Sequence, residues 1–147
     1  MGWEFEHLYR FNIGGVEYAD LARASAEDVE DACDTMLSEV LPARNRRPRF
    51  HYEYDFGDGW IHQLIVEERF PPEEGVKYPI CVAGQRACPP EDCGGPRSYA
   101  DFLEAISNPD HRRHDEILEW MGGEFDPEKF DLDAVNNELR RMRTRKP

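Results

Sequence analysis

The feature that most constrains this fold is an alternating stretch, FHYEYDFGDGWIHQLIV, that glycines interrupt near its middle. Large side chains take every second position: Phe50, Tyr52, Tyr54 and Phe56 before the glycines, and Trp60, His62, Leu64 and Val66 after them. A period of two is typical of strands with one buried face. A Gly-Asp-Gly sequence suits the turn between two such strands. The stretch therefore predicts a β-hairpin.

Burial decides the predicted register of this hairpin. A three-residue loop over residues 57–59 pairs Phe56 with Trp60 and Tyr54 with His62, so both apolar rows share one face. A two-residue turn would mix apolar and polar side chains on each face. The burial pattern favours the three-residue loop, with Phe56 in the core. In that register the acids of the first strand, including Asp55, face outward.

Two further elements are predicted in the first half of the chain. Residues 6–19 alternate around a Gly-Gly pair, which allows the positive φ angles of a tight turn and predicts a second hairpin. Residues 25–41 carry apolar side chains at helical spacing, with Ser25 as N-cap and Pro42 as a stop. Cys33 is expected in the core, on the apolar face of that helix.

The second half reads as a long loop followed by helices. Prolines and glycines are frequent in residues 71–97, and their restricted or unusual backbone angles predict an ordered loop. Helical patterns then begin near Ser98, Asn108 and Asp133. Together the elements predict one domain, residues 1–147, of the α+β class. Its mainly antiparallel curved sheet is built from hairpins and packs against several helices, with a helical C-terminal part.

The net charge limits the partners that this chain can bind. Lys and Arg number 18 against 31 Asp and Glu, which gives −13. Half of the basic residues lie in two short segments, residues 44–49 and 140–146, so the rest of the surface is strongly acidic. Such a surface repels phosphate backbones, and DNA or RNA binding is not expected. It favours a protein partner that offers a basic segment.

Location is inferred from what the sequence lacks. No apolar run approaches the roughly 20 residues that span a bilayer. No charged-then-apolar leader is present. We therefore expect a cytoplasmic protein that does not enter a membrane. In that compartment the four cysteines are expected as reduced thiols or metal ligands rather than disulfides.

The long loop carries the residues of a candidate zinc site. Cys81, Cys88 and Cys93 lie within it, and His62 lies on a strand expected nearby. Three thiolates and one imidazole would bind zinc tetrahedrally as a structural site. Tandem C-x2-C pairs are absent, so the favoured interpretation has no cofactor. In that interpretation the cysteines are ordinary thiols beside a proline-rich turn, and His62 is a buried histidine bonded to a carbonyl.

Acidic residues form a second candidate site. Glu91 and Asp92 in PPEDCGG, together with Asp55 and Asp58, could bind Mg²⁺ or Ca²⁺ through their oxygens. The favoured alternative is two turns rich in Asp, because an Asp side chain accepts hydrogen bonds from backbone N–H groups in the turn that it begins.

Catalytic motifs are missing from the sequence. It contains no G-x-S-x-G elbow, no G-x-x-x-x-G-K phosphate loop and no G-x-G-x-x-G fingerprint. His111 and His114 are three residues apart in HRRH, but no H-E-x-x-H pattern accompanies them, and a solvated helix start explains them. The interpretation therefore leans towards a protein without catalytic activity.

Four stretches resemble the plasmid pRiA4b ORF-3-like family: MGWEFEHLYRF, FHYEYDFGDGWIHQLIVEE, YPICVAGQRACPPEDCGGPRSYADFLEAI and HDEILEWMGGEFDPEKFDLDAVNNEL. They cover nearly the whole chain, and YDFGDGW…H and PPEDCGG are the most specific. The resemblance implies a compact α+β domain without an established activity, in a family that includes insertion-element passengers labelled as TnpR resolvases. It also implies that a strand and a helix usually precede GW…HL. This chain is thus expected to be N-terminally truncated or to have been assigned a late start codon. Without the strand and the helix it should expose a sheet edge or an apolar patch.

Three functions follow as hypotheses. The first is a non-catalytic accessory domain that engages a protein partner through the Pro-Gly loop and the hairpin tip, at Asp58 and Trp60. The second is a zinc-binding protein that uses the cysteine loop. The third is an accessory in DNA processing by a mobile element, which the resemblance suggests but the acidic charge opposes.

Overall fold

The computed structural model describes residues 2–23, 28–42 and 47–142. Within these residues it contains strands β1 (Tyr9–Ile13), β2 (Val16–Ala19), β3 (Val29–Asp31), β4 (Arg49–Tyr54) and β5 (Trp60–Ile65), and helices α1 (Leu37–Val40), α2 (Gly95–Ser107), α3 (His114–Met121) and α4 (Leu132–Met142). The predicted α+β class is therefore confirmed. The proposed N-cap Ser25 and parts of the two basic segments, residues 44–46 and 143–146, lie outside the described residues.

The elements group into two compact units. The sheet unit comprises residues 5–71 and 94–96, and it holds all five strands and α1. The helical unit comprises the described parts of residues 1–4, 72–93 and 97–147, and it holds α3, α4 and most of α2. Whether these units form the single expected domain stays a prediction.

The strands form one open sheet in the order β3-β2-β1-β4-β5. Three of its four pairings are antiparallel, and β2 with β3 is parallel, so the sheet is mainly antiparallel as predicted. The hairpin expected over residues 6–19 is confirmed. Ile13 pairs directly with Val16, because Gly14 and Gly15 both adopt positive φ angles and make a two-residue turn.

The second hairpin has the predicted faces but a different register. Tyr54 pairs with Trp60 and Tyr52 with His62, so the prediction of a three-residue loop was wrong by two positions. A shift of two keeps every side chain on its face, and the aromatic residues of both strands still share one side. The strand ends early because Asp55 adopts the left-handed conformation, with φ of 53°. Phe56, expected in the core, is 45% exposed.

The helix predicted over residues 25–41 is wrong. Val29–Asp31 forms β3 beside β2, with Glu17 paired to Val29 and Ala19 to Asp31. A turn follows, in which the side chain of Asp31 accepts the backbone N–H of Cys33. Within the described residues 28–42, only the four residues of α1 are helical, and Cys33 is exposed rather than in the core. Pairing with a neighbouring strand outweighed the local helical pattern.

Aromatic side chains cover one face of the sheet. Ring contacts connect Phe11 on β1 with Tyr52 on β4, 4.9 Å between centroids, and Tyr52 with His62 on β5, 5.6 Å between centroids. Tyr54 on the same face is almost fully buried. Because neighbouring rings on one face stabilise strand pairing, this row holds β1, β4 and β5 in register.

The helical unit has its own core, made by Phe102, Ala105 and Ile117. Helix α2 begins at Gly95, three residues before the expected cap Ser98, and α3 begins at His114 rather than near Asn108. Polar turns occupy the residues between α2 and α3 instead. Helix α4 begins at Leu132, as predicted within one residue. Among all the described helices, none has the length and apolar content of a membrane span.

Candidate functional site

The family-specific YDFGDGW stretch forms a closed loop at the end of the β4–β5 hairpin. Asp55 starts it, and its carboxylate Oδ1 accepts the backbone N–H groups of Gly57 at 2.9 Å and Asp58 at 3.3 Å. Its carbonyl accepts the N–H of Gly59 at 2.6 Å. Its own N–H donates to Leu8 on the neighbouring chain segment at 2.9 Å. Asp55 is therefore a structural residue that fixes the loop through both its side chain and its backbone.

Asp55 is buried, which differs from the sequence prediction. It was expected to face outward, but only 9% of its surface is exposed. The left-handed backbone turns its side chain inward, where its second oxygen, Oδ2, lies 3.7 Å from Nδ1 of His7. His7 in turn contacts the buried ring of Tyr54 edge-on. Sequence reasoning missed His7, because a single histidine beside Glu6 carries no spacing signal.

The second specific stretch, PPEDCGGP, ends on the same loop. The N–H of Gly94 donates to Asp58 Oδ2 at 3.0 Å. Gly95 has a φ of 77°, and a Cβ placed there would lie 2.1 Å from the carbonyl oxygen of Asp58. Only glycine permits both this backbone angle and this approach. The glycine pair therefore joins the start of α2 to the hairpin loop, although some 36 positions separate them in the chain.

These contacts decide what the predicted motif residues do. Asp55 and Asp58 hold the loop and its junction with the glycine pair, and Trp60 is half-buried at the start of β5. The favoured interpretation of Asp-capped turns agrees with this geometry. A role for Asp58 and Trp60 in binding a partner stays a prediction.

An ion-pair network on the opposite sheet face was not predicted. The Arg10 side chain on β1 lies 2.7 Å from Glu53 on β4 and 3.2 Å from Glu17 on β2. Its guanidinium also lies 5.2 Å from the ring centroid of Phe56. Hydrogen bonds with both acids raise the pKa of Arg10, with the Glu53 bond as the largest cause. One arginine thus spans three strands, which the sequence could not show before the strand order was known.

The other two motif acids lie in the helical unit. Glu91 Oε1 accepts the backbone N–H of Glu4 at 3.0 Å. The indole of Trp3 is buried and donates to the carbonyl of Pro89 at 2.8 Å. Asp92 is exposed and has a left-handed φ of 56°. The PPED turn is therefore fastened to the start of the described chain, a long-range contact without a local sequence signal.

The loop before this turn is also ordered, as predicted. The side-chain amide of Asn136 on α4 accepts the N–H of Cys81 and donates to its carbonyl, both at 2.9 Å. The N–H of Ala87 donates to Pro127 at 2.9 Å. Gly84 lies against the ring of Phe130, which a Cβ at this position would approach to 2.2 Å. The loop follows the surface of the helical unit at three points.

The three loop thiols do not gather into one site. Cys81, Cys88 and Cys93 all lie in the described part of the chain, and their sulfurs do not form a group within 4.8 Å of one another. The thiol of Cys81 donates to Ala83 at 3.4 Å. Burial raises the pKa of Cys88, opposed by backbone N–H groups near it, so a thiolate there is disfavoured. This arrangement does not support the proposed zinc ligation.

The histidines have structural partners. Nδ1 of His62 lies 3.2 Å from the carbonyl of Tyr52, in agreement with the favoured interpretation of a carbonyl-bonded histidine, but the residue is half-buried rather than buried. Nδ1 of His114 lies 2.9 Å from the carbonyl of Ala105 and joins α3 to α2. His111 accepts the backbone N–H of Arg113 at 3.2 Å. Each imidazole therefore stabilises a local connection.

Comparison with known proteins places this arrangement in a family. A sequence model of the plasmid pRiA4b ORF-3-like proteins matches residues 1–134. An uncharacterized protein, y4hQ of Sinorhizobium fredii, is 36% identical over 137 residues, which cover 92% of this chain and 70% of that protein. The crystal structure of MM3350, a protein of unknown function from Methanosarcina mazei Go1, superposes with a TM-score of 0.79 at 34% identity. The match covers 91% of this chain and 75% of that one. The chain therefore belongs to the plasmid pRiA4b ORF-3-like family.

Proposed function

We propose that the protein is a non-catalytic binding domain that takes up an extended segment of a basic protein partner. The proposed surface is an apolar ridge, defined as Val76, Tyr78, Ile80 and Val82 in the loop before the PPED turn. All four side chains are exposed, and Val82 is 85% exposed. Four exposed apolar side chains within residues 76–82 of one loop are the observation that carries the proposal, because exposed apolar surface of this density marks interaction sites.

Hydrogen bonds to α4 fix the backbone between two residues of the ridge, which supports the proposal. Both backbone groups of Cys81, between Ile80 and Val82, are bonded to the Asn136 amide. In an extended chain, the backbone groups of the flanking residues point away from those of Cys81. Ile80 and Val82 would then offer N–H and C=O groups, as well as side chains, to an added strand. A loop that is already ordered loses less conformational entropy on binding.

Charge selects the chemistry of the partner. The chain carries −13, and Glu73 and Glu74 precede the ridge, with Lys77 as the basic residue within it. A partner segment with Lys or Arg beside apolar residues would complement this surface. Catalysis is not proposed, because Asp55 and Asp58 have structural partners. The same holds for His62, His111 and His114.

Selection from a displayed random-peptide library tests the proposal. We expect enriched peptides that combine apolar and basic residues, and their affinity should fall as salt rises, because screening weakens charge attraction. Ile80→Ser combined with Val82→Ser should abolish binding of these peptides. These exposed positions should change folding stability by no more than about 0.5 kcal/mol each.

Val16→Ser is the matched control for the ridge variant. Val16 is exposed and apolar, but it lies on β2 in the sheet unit. Its substitution should leave peptide affinity unchanged. Enriched peptides that bind the ridge variant as tightly as the unmodified chain would contradict the proposal, and so would the absence of enrichment.

A further inference from the structure

The outer edge of β5 has the composition of a pairing surface. Strand β5 is the last strand of the sheet, and among the described residues only β4 pairs with it. Its sequence, WIHQLI, contains neither a charged residue nor proline. Edge strands are usually protected by lysine, proline, bulges or short length. This six-residue edge contains neither lysine nor proline, although 33% of the residues in the chain are charged.

The hydrogen-bond pattern shows which backbone groups face outward. Val66 donates to Pro48 at 3.0 Å, so the pairs that exchange hydrogen bonds with β4 continue at positions 64, 62 and 60. Antiparallel ladders alternate between bonded and non-bonded pairs. The N–H and C=O groups of Ile61, Gln63 and Ile65 therefore point away from β4, at the outer edge.

The side chains of these three residues are arranged symmetrically along the strand, with an isoleucine on each side of Gln63. Ile61 is 66% exposed and Ile65 is 45% exposed, and Gln63 lies midway between them. If a second β5 pairs antiparallel with Gln63 opposite Gln63, each Ile61 lies opposite Ile65 of the other copy. Three outward pairs with two bonds each would give about six backbone hydrogen bonds. The edge is thus complementary to itself, as a two-fold interface requires.

We infer that β5 pairs with β5 of a second copy of this chain and joins two sheets into one. This inference concerns a different unit from the apolar ridge and does not depend on the proposed function. Net charge makes the inference testable: two chains of −13 repel each other, while β5 itself contains no Asp, Glu, Lys or Arg. Added salt screens that repulsion, so dimerisation should strengthen with salt. Binding of a basic partner should weaken under the same conditions.

Sedimentation velocity of the full chain at increasing concentration and salt tests the inference. We expect a concentration-dependent dimer that increases with salt. Ile61→Lys combined with Ile65→Lys should abolish it, because opposed cations replace the apolar pairs. Gln63→Pro should also abolish it, since it removes the central outward N–H without removing a bond to β4. Gln63→Ala retains that N–H and should leave the dimer intact.

Two further measurements make the result decisive. Far-UV circular dichroism of each variant should match the unmodified chain, which shows that the fold is retained. Amide exchange at Ile61, Gln63 and Ile65 should slow as the dimer forms. A chain that stays monomeric up to its solubility limit at high salt overturns the inference, as does a dimer that the lysine and proline variants leave intact. The serine variant of the ridge should still dimerise, so failure of the ridge proposal is recognised separately.

Discussion

Gly95 offers the sharpest test of how the PPEDCGG motif is used. A Gly95→Ala substitution carries two costs. The φ of 77° costs an L-residue about 1–2 kcal/mol. The new Cβ would lie 2.1 Å from the Asp58 carbonyl oxygen, and such overpacking costs about 1–3 kcal/mol more. We expect the free energy of unfolding to fall by about 2–5 kcal/mol, a large part of the roughly 5–15 kcal/mol typical of a domain.

Gly59→Ala separates these two costs. Gly59 lies in the same loop with a φ of 69°, and a Cβ at this position would have no other heavy atom within 4 Å. It should therefore lose only the backbone contribution, about 1–2 kcal/mol. Urea unfolding, followed by tryptophan fluorescence and far-UV circular dichroism, measures both losses. Equal losses in the two variants would refute the reasoning, because the close approach of Asp58 would then contribute nothing.

Two further predictions concern the helical unit. Asn136→Ala should lower the free energy of unfolding by about 1–3 kcal/mol and speed amide exchange at Cys81, since both backbone groups of Cys81 lose their partner. Asn137→Ala, one residue along α4, is the control. Equal effects of the two substitutions would contradict the prediction. In a variant with Cys88 as its only cysteine, the pH midpoint of alkylation should be higher in the folded chain than in urea, because burial raises the thiol pKa. Coinciding midpoints would show that Cys88 is not buried in solution.

The faces of the strands could be predicted from the sequence, because alternation is a local property. Tyr52, Tyr54, Trp60 and His62 share one side, as their spacing indicates. The register could not be predicted, because it depends on Asp55. A left-handed aspartate is rare enough that a strand through Phe56 was the natural expectation, and the hydrogen bonds that favour it join positions on both sides of the loop.

The wrong helix has a related cause. The apolar spacing of residues 25–41 fits a helix, but Val29–Asp31 gains a strand partner in β2 that no local pattern reveals. The candidate site shows the same limit. The aspartates and glycines of the two motifs were identified as turn residues, yet the contact of Gly94 with Asp58 depends on segments brought together by the fold. The local role of these residues in turns could be predicted from the sequence, and their long-range contacts could not.

The close approach of Gly95 has a consequence for sequence variation. The atom that excludes a side chain at position 95 is a backbone carbonyl, which every residue at position 58 also carries. No substitution at position 58 can therefore compensate for the loss of this glycine, and the two positions should not co-vary. Gly84 differs, because the ring of Phe130 excludes its side chain. A smaller residue at position 130 can restore the space for a side chain at position 84. Positions 84 and 130 can therefore co-vary, whereas Gly95 should not change.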